Sequence, residues 1–191
     1  IDTLRFTSQF EDVIAQIAQQ FGGTYKPWHD PKASPQHQFE VITVAKEVPV
    51  YLVPDGLSVW YEQWSGGGCI RRCDGIDCAT PVGTPDGFEM QTVPCMCIAA
   101  NSRVCDPHTR LQVILPTVSF RGVWRLETKG WNAAQELPGM FDMIVELGQR
   151  GQMVQALLGV ERRETPTIKG KRNFVVPRLS IVQTALELQA G

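Results

Sequence analysis

Residues 57–73 have the sequence LSVWYEQWSGGGCIRRC, in which a strand pattern gives way to glycine and cysteine. Residues alternate between two faces up to Trp64, and aromatic side chains recur on one of them, as is typical of a β-strand. The run Gly66–Gly68 then begins a segment rich in Gly, Pro, Asp and Cys that extends to about His108. A segment this long between two strands is usually functional or disordered unless something holds it together.

All six cysteines of the chain lie in this segment. Disulfides in secreted proteins usually join distant parts of a chain, whereas zinc binds thiolates from a short stretch in a tetrahedron. The clustering therefore favours a structural zinc (Zn2+) site, with disulfides and free thiols as the open alternatives. The spacing predicts two ligands from the pair Cys69 and Cys73 and two from the group Cys95, Cys97 and Cys105.

Four other residues carry side chains of a type that can bind a metal. Cys78 is either a spare thiol or a further ligand. His108 follows Cys105 closely enough to bind the metal, although a surface or core histidine is the more ordinary interpretation. His29 and His37 lie in a polar, proline-containing loop, where we expect both to be solvated.

The first predicted helix lies near the start of the chain. Ser8 and Glu11 have the spacing of a capping box. Apolar residues then recur at helical spacing from Phe10 to Phe21, and Gly22-Gly23 ends the pattern.

A second helical region begins near Asn132, which can cap it, and ends at Gly148. We expect Leu137-Pro138-Gly139 to interrupt this helix, because proline lacks an amide donor and clashes with the preceding turn.

The remaining periodic segments predict strands with short connections, which favours antiparallel pairing. We predict one α+β domain over residues 1–191 with mostly antiparallel sheet, two helices, and a cysteine-rich zinc-binding insertion at residues 66–108. The order of elements suggests two similar strand–helix–strand–strand halves around the insertion. The predicted strands are Leu4–Phe6, Phe39–Val44, Val48–Val53, Leu57–Trp64, Arg110–Leu115, Gly122–Thr128, Val154–Thr165 and Asn173–Thr184.

The composition excludes several classes of partner. Hydrophobic residues make up 43% of the chain and charged residues 20%, which is ordinary for a globular fold. The formal net charge of −2 does not favour binding to nucleic acid or to an anionic membrane. No apolar run is long enough to span a bilayer, and no signal-peptide pattern is present. We therefore expect no membrane partner.

The stretch from Glu161 to Arg178 is locally basic. A hairpin of this kind can contact phosphate, although a solvated surface is the more frequent interpretation. It contains two glutamates and six basic residues, which are Arg162, Arg163, Lys169, Lys171, Arg172 and Arg178.

Catalytic motifs are absent from the sequence. It contains no phosphate-binding loop with Lys-Ser/Thr, no GxSxG elbow and no HExxH motif. A site closed by four thiolates leaves no open coordination position, so the predicted metal is structural. We therefore expect a protein that is not an enzyme. A metalloenzyme would need an open metal position.

Several blocks of the chain resemble the phage recombination directionality factor-like family, whose members work with large serine integrases. The blocks are Trp60–Cys69, Arg71–Gly75, Pro94–Cys97, Cys105, Thr109–Leu111, Gly122–Glu127 and Glu136–Gly139. The resemblance supports zinc at Cys69, Cys73, Cys95 or Cys97, and Cys105. Cys78 lies outside the blocks.

The resemblance also implies a function. Such a factor binds the large serine integrase, reaches DNA only through it, and switches it from integration to prophage excision. It would act in the cytoplasm of the bacterial host cell and take no small-molecule substrate. The alternative is a nucleic-acid-binding zinc protein of phage replication that uses the basic hairpin.

Overall fold

Strands dominate the computed structural model, which describes residues 1–28, 38–99, 101, 103–119, 121–148, 153–168 and 170–181. The sheet is mostly antiparallel, as predicted, but the fold is mainly β rather than α+β. His29, His37 and Lys169 lie outside the described residues. The strands are β1 (Arg5–Ser8), β2 (Tyr25–Pro27), β3 (Phe39–Ile42), β4 (Glu47–Ser65), β5 (Gly68–Cys73), β6 (Asp77–Thr84), β7 (Gly87–Pro94), β8 (Asp106–Ile114), β9 (Trp124–Thr128), β10 (Val154–Thr167) and β11 (Gly170–Ile181).

The described part of the chain contains three helices rather than the two predicted: α1 (Glu11–Phe21), α2 (Met96–Ala99) and α3 (Trp131–Leu147). None of them is both long and apolar enough to cross a membrane. The chain folds as two compact units. The first unit comprises the described residues of Ile1–Pro54, Gln112–Trp124 and Gly139–Gly191, and the second comprises those of Asp55–Leu111 and Arg125–Pro138.

In the first unit, α1 packs beside a three-stranded antiparallel sheet with the order β1-β3-β2. Val13, Ile14 and Ile17 on the apolar face of α1 are buried, as the helical spacing predicts. The capping box was wrong. Phe10 is the N-cap, and the Ser8 hydroxyl accepts a hydrogen bond from the Phe10 amide at 3.1 Å. Ser8 thus stabilises the turn that leads from β1 into the helix.

The end of α1 explains its glycine pair. Gly23 has a φ of 104°, which side-chain-bearing residues rarely adopt. A Cβ atom built there would lie 2.2 Å from the carbonyl oxygen of Ile42. Glycine therefore allows the chain to pass close to β3 as it leaves the helix.

β4 is one 19-residue strand where the sequence predicted two, Val48–Val53 and Leu57–Trp64. The turn-like residues between them are accommodated by a local irregularity, because Asp55 takes a φ of 56° while the strand continues. Within the first unit, Leu52 to Glu47 pair with β10, which in turn pairs with β11.

In the second unit, the predicted aperiodic insertion is largely regular. β4 pairs with β5, β5 with β6, and β6 with β7, all antiparallel. The helix α2 and the start of β8 follow. The sequence pattern failed here because most side chains of β7 are exposed, so no apolar alternation marks the strand.

α3 continues through Pro138, where we predicted an interruption. The helix also begins at Trp131, so Asn132 lies inside it rather than capping it. Proline removes one backbone hydrogen bond, but Leu137 and Phe141 on either side are buried, and apolar packing supplies most of the stability of a helix.

The suggested similar halves agree in element order and differ in pairing. β1, α1, β2, β3 and β9, α3, β10, β11 both follow the order strand–helix–strand–strand. However, β3 pairs with both β1 and β2, whereas β9 pairs with β8 and β10 pairs with β4 and β11.

Candidate functional site

Three cysteines form a buried cluster in the second unit. Cys73 ends β5 and faces Cys78 of β6 across the strand pair. Cys95, just after β7, joins them, and all three are between 0% and 6% exposed. Cys97 and Tyr61 pack against the cluster. The sheet thus brings together thiols that are more than twenty residues apart in the sequence.

A tight turn positions the first two thiols. Gly75 has a φ of 107° and donates its amide to the Cys73 sulfur at 3.1 Å. The Asp74 carboxylate accepts the amides of Asp77 and Ile76, both at 2.8 Å, and these hydrogen bonds lower the pKa of Asp74. The turn between β5 and β6 is therefore held at the residues that flank the cluster.

The other two thiols near the cluster are those of Cys97 in α2 and Cys105 just before β8. Burial raises the pKa of Cys105 to about 12, with a further contribution from neighbouring Cys97 and a smaller opposing one from Arg71. Burial likewise raises the pKa of Cys73 to about 11. For Cys95 burial also raises the pKa, but hydrogen bonds from the Cys73 thiol and nearby amides outweigh it and lower the pKa.

The predicted ligands are only partly brought together. Cys73, Cys95, Cys97 and Cys105 lie in or beside the cluster. Cys69 is exposed, and its sulfur contacts the Arg71 carbonyl at 3.2 Å. All six cysteines are free thiols. Across the residues that the structure describes, no three His, Cys, Asp or Glu side chains are placed so as to hold a metal ion.

Sequence reasoning underestimated Cys78, which is fully buried among the other thiols. Its flanking residues Asp77 and Ala79 gave no sign of burial. The available signal was strand register, because a hairpin turn at Asp74–Asp77 places Cys78 opposite Cys73.

A buried charge network surrounds Glu62 on β4, whose side chain is 0% exposed. Arg110 donates two hydrogen bonds to the carboxylate, at 3.0 and 2.9 Å, a bidentate geometry. Arg72 donates a third at 3.0 Å, and the Trp64 indole a fourth at 2.9 Å. Burial alone would raise the pKa of Glu62, but the hydrogen bonds from Arg110 and Trp64 and the charge of Arg110, with a smaller contribution from His108, outweigh it and lower the pKa to about 2.

His108 belongs to this network. Its Nδ1 atom lies 3.4 Å from both Glu62 and Glu127, and its ring lies against Trp64. The residue is buried, which agrees with the core histidine considered from the sequence. The network itself was not predicted from the sequence. The signal was a glutamate between Trp60 and Trp64 on one face of a strand, with arginines to pair with it downstream.

A cavity of about 380 Å³ opens beside the cysteines within the second unit. Its lining residues include Tyr61, Trp131, Arg103, Cys95, Cys97 and Cys105. The Arg103 guanidinium lies 4.6 Å from the centre of the Trp131 ring, and Trp131 packs against Tyr61. The described residues that line the cavity include two aromatic side chains and no assembled nucleophile–base pair.

The mainly antiparallel fold and the buried thiol cluster define a small cysteine-rich β protein without an assembled catalytic set in its described residues. A family model described as Gp3-like, recombination directionality factor-like, matches residues 1–182. The chain belongs to this family, which confirms the resemblance seen in the sequence. The family is regulatory rather than catalytic, and its description connects the protein with phage DNA recombination.

The other comparisons add no functional argument. No curated protein matches the chain. A solved structure of yeast RPA bound to ssDNA is similar at 14% identity and covers 75% of this chain and 80% of that chain. Its TM-score of 0.27 is too low to support a shared fold.

Proposed function

We propose that this protein is a recombination directionality factor that binds a large serine integrase and switches it from integration to prophage excision. The observation that carries the proposal is the family match over residues 1–182. The chain itself would catalyse no step. It would act in the cytoplasm of the bacterial host cell and reach DNA only through the integrase.

The switch requires differential binding to two integrase–DNA arrangements. A ligand shifts an equilibrium only by the difference between its affinities for the two states. Moving a preference from about 1:99 to about 99:1 takes about 10⁴-fold tighter binding to the favoured arrangement. A formal net charge of −2 suits a factor that recognises the protein rather than the DNA.

The test combines binding with recombination. Purified chain and its cognate integrase should co-elute in size-exclusion chromatography. Adding the chain should start recombination between the two hybrid attachment sites and suppress recombination between the phage and host sites. An integrase from an unrelated phage serves as the control. Failure to bind or to change the recombination outcome would contradict the proposal.

We further propose that one structural zinc ion is held by the four buried cysteines, Cys73, Cys78, Cys95 and Cys105. Thiolates are suitable zinc ligands. Cys73, Cys78 and Cys95 form one buried cluster, and Cys105 is buried near Cys78 and Cys97. Because no three ligand-type side chains of the described residues are placed to hold an ion, zinc binding would have to draw these thiols together. This set replaces the predicted Cys69, which is exposed, with Cys78 and leaves Cys97 as a neighbour. Bound zinc would tie the strand ends and turns of this unit together.

The alternative of a nucleic-acid-binding zinc protein rests on the β10–β11 hairpin. Three of its basic side chains are engaged by carboxylates. Arg162 pairs with Asp2 at 3.0 Å and Lys171 with Glu164 at 2.6 Å. Arg163 pairs with Glu161 at 2.8 Å. These pairs weaken the case for phosphate binding. Binding of the isolated protein to DNA that falls steeply with salt would favour the alternative.

A further inference from the structure

The β6–β7 hairpin carries an unusually open sheet edge. Among the strands of the described chain, β7 pairs with β6 alone. Nearly every residue of β7 is exposed. An edge strand of this length offers a row of free amide and carbonyl groups to another strand.

The alternation of hydrogen-bonded pairs along the β6–β7 ladder identifies which backbone groups of β7 have no partner on β6. Thr84 and Gly87 close a two-residue turn, and the same register continues to the bond from the Cys95 amide to the Ile76 carbonyl at 2.8 Å. Alternate pairs along an antiparallel ladder exchange hydrogen bonds. The intervening residues on β7 direct their backbone groups outward, and these are Phe88, Met90 and Thr92.

The same residues carry an apolar face. Phe88 is 85% exposed and Met90 63%, and side chains two residues apart lie on one face of a strand. Gly83 stands opposite Phe88, and Pro81 stands opposite Met90. This face therefore has no charged side chain at these four positions, and it borders the open edge.

Edge strands are usually protected by lysine, proline or a bulge. Between Gly87 and Val93, β7 has no lysine, proline or bulge, and its register with β6 is continuous; its one charged residue is Glu89. The hairpin from Asp77 to Pro94 carries three acidic residues and no Lys or Arg. Two copies of so acidic a hairpin repel each other, which disfavours pairing of the chain with itself and favours a basic occupant.

We propose that β7 is the docking edge for an extended strand of a protein partner that carries Lys or Arg beside apolar side chains. The partner strand extends the sheet through the backbone groups of Phe88, Met90 and Thr92 and covers the Phe88–Met90 face. Its basic side chains meet Asp86 and Glu89. The assignment rests on the proposed function, in which this partner is the integrase.

The test compares variants in binding to the cognate integrase. Met90→Lys places a charge at the edge, and Phe88→Thr removes the largest apolar contact. Each should weaken binding at least about tenfold. Ile168→Lys is the matched control, because Ile168 is exposed in the β10–β11 hairpin. The affinity of this control variant for the integrase should stay within about twofold of the wild-type value. Since all three side chains are exposed, circular dichroism should show unchanged folding.

Hydrogen exchange on the complex supplies a second readout. The amides of Phe88, Met90 and Thr92 should become protected when integrase binds. If both hairpin variants bound the integrase as tightly as the wild-type chain, and β7 gained no protection, the docking proposal would be refuted while the proposed function stayed intact. No binding by the wild-type chain would overturn the proposed function itself, and a β7-mediated homodimer would overturn the choice of partner.

Discussion

Replacing Glu62 by glutamine tests whether its buried charge stabilises the second unit. The substitution keeps the shape of the side chain but removes the negative charge that Arg110, Arg72 and the Trp64 indole contact. The fall in the pKa of Glu62 from 4.5 to about 2 corresponds to about 3 kcal/mol of extra stabilisation of the ionised form in the folded state. Breaking a buried ion pair costs a similar amount.

We therefore expect Glu62→Gln to lower the free energy of unfolding by about 3 kcal/mol at pH 7, measured by urea denaturation with reductant and metal content held constant. Glu127→Gln is the matched control. Its carboxylate is 37% exposed, and its closest contacts with the same network are 3.4 Å or longer, so its loss should cost less than about 1 kcal/mol.

The stability difference between wild type and Glu62→Gln should depend on pH. A carboxylate whose pKa is lower in the folded state adds stability above its unfolded pKa and loses it as the pH falls through the folded value. The difference between wild type and Glu62→Gln should thus be full above about pH 5 and shrink toward pH 2. A difference below about 1 kcal/mol at pH 7, or one that grows on acidification, would refute the reasoning.

Three further predictions concern the metal, the hairpin and a glycine. Elemental analysis should find about one zinc per chain. Cys78→Ser should greatly reduce this zinc content, whereas Cys69→Ser should leave it unchanged. Zinc lost from Cys69→Ser but retained by Cys78→Ser would exclude the proposed ligand set. Chelation should speed amide exchange in β6 and β7 but not in β10 and β11, and equal rates before and after would contradict a structural metal. Gly23→Ala should lower the free energy of unfolding by about 2 kcal/mol or more, because the new Cβ meets the Ile42 carbonyl, whereas Gly66→Ala, with open space around it, should be nearly neutral in the same denaturation assay.

The sequence predicted those parts of the fold in which apolar residues are periodic. The face of α1 and the antiparallel strands around β10 follow directly from spacing that buries one side. The strands β6 and β7 were not predicted, because they bury few side chains. Their regularity comes from backbone pairing and from the turn at Asp74–Asp77, which binary pattern does not record.

For the candidate site too, the sequence predicted some features, whereas others depend on how the strands pair. Clustered cysteines were evident from the sequence alone, but which of them are buried depends on strand register, and register placed Cys78 inside and left Cys69 exposed. The sequence could mark Glu62, which stands between Trp60 and Trp64 on one strand face, but not its partner Arg110, which is 48 residues away along the chain. Long-range pairing of charges has no local pattern that a single sequence displays.

In the second unit, the proposed metal site and the proposed docking edge lie at opposite ends of one hairpin. At the base of β6–β7, Cys78 and Cys95 are buried with Cys73, whereas Phe88 and Met90 near the turn are largely exposed. A hairpin with so little core of its own is marginally stable in water, so its shape depends on what fixes its base. If zinc binds the buried thiols, the metal acts on partner binding indirectly, by keeping the open edge of β7 ordered before the partner arrives. This pre-ordering reduces the entropy lost on docking, which is why a closed site without catalytic capacity would be useful to a regulatory protein.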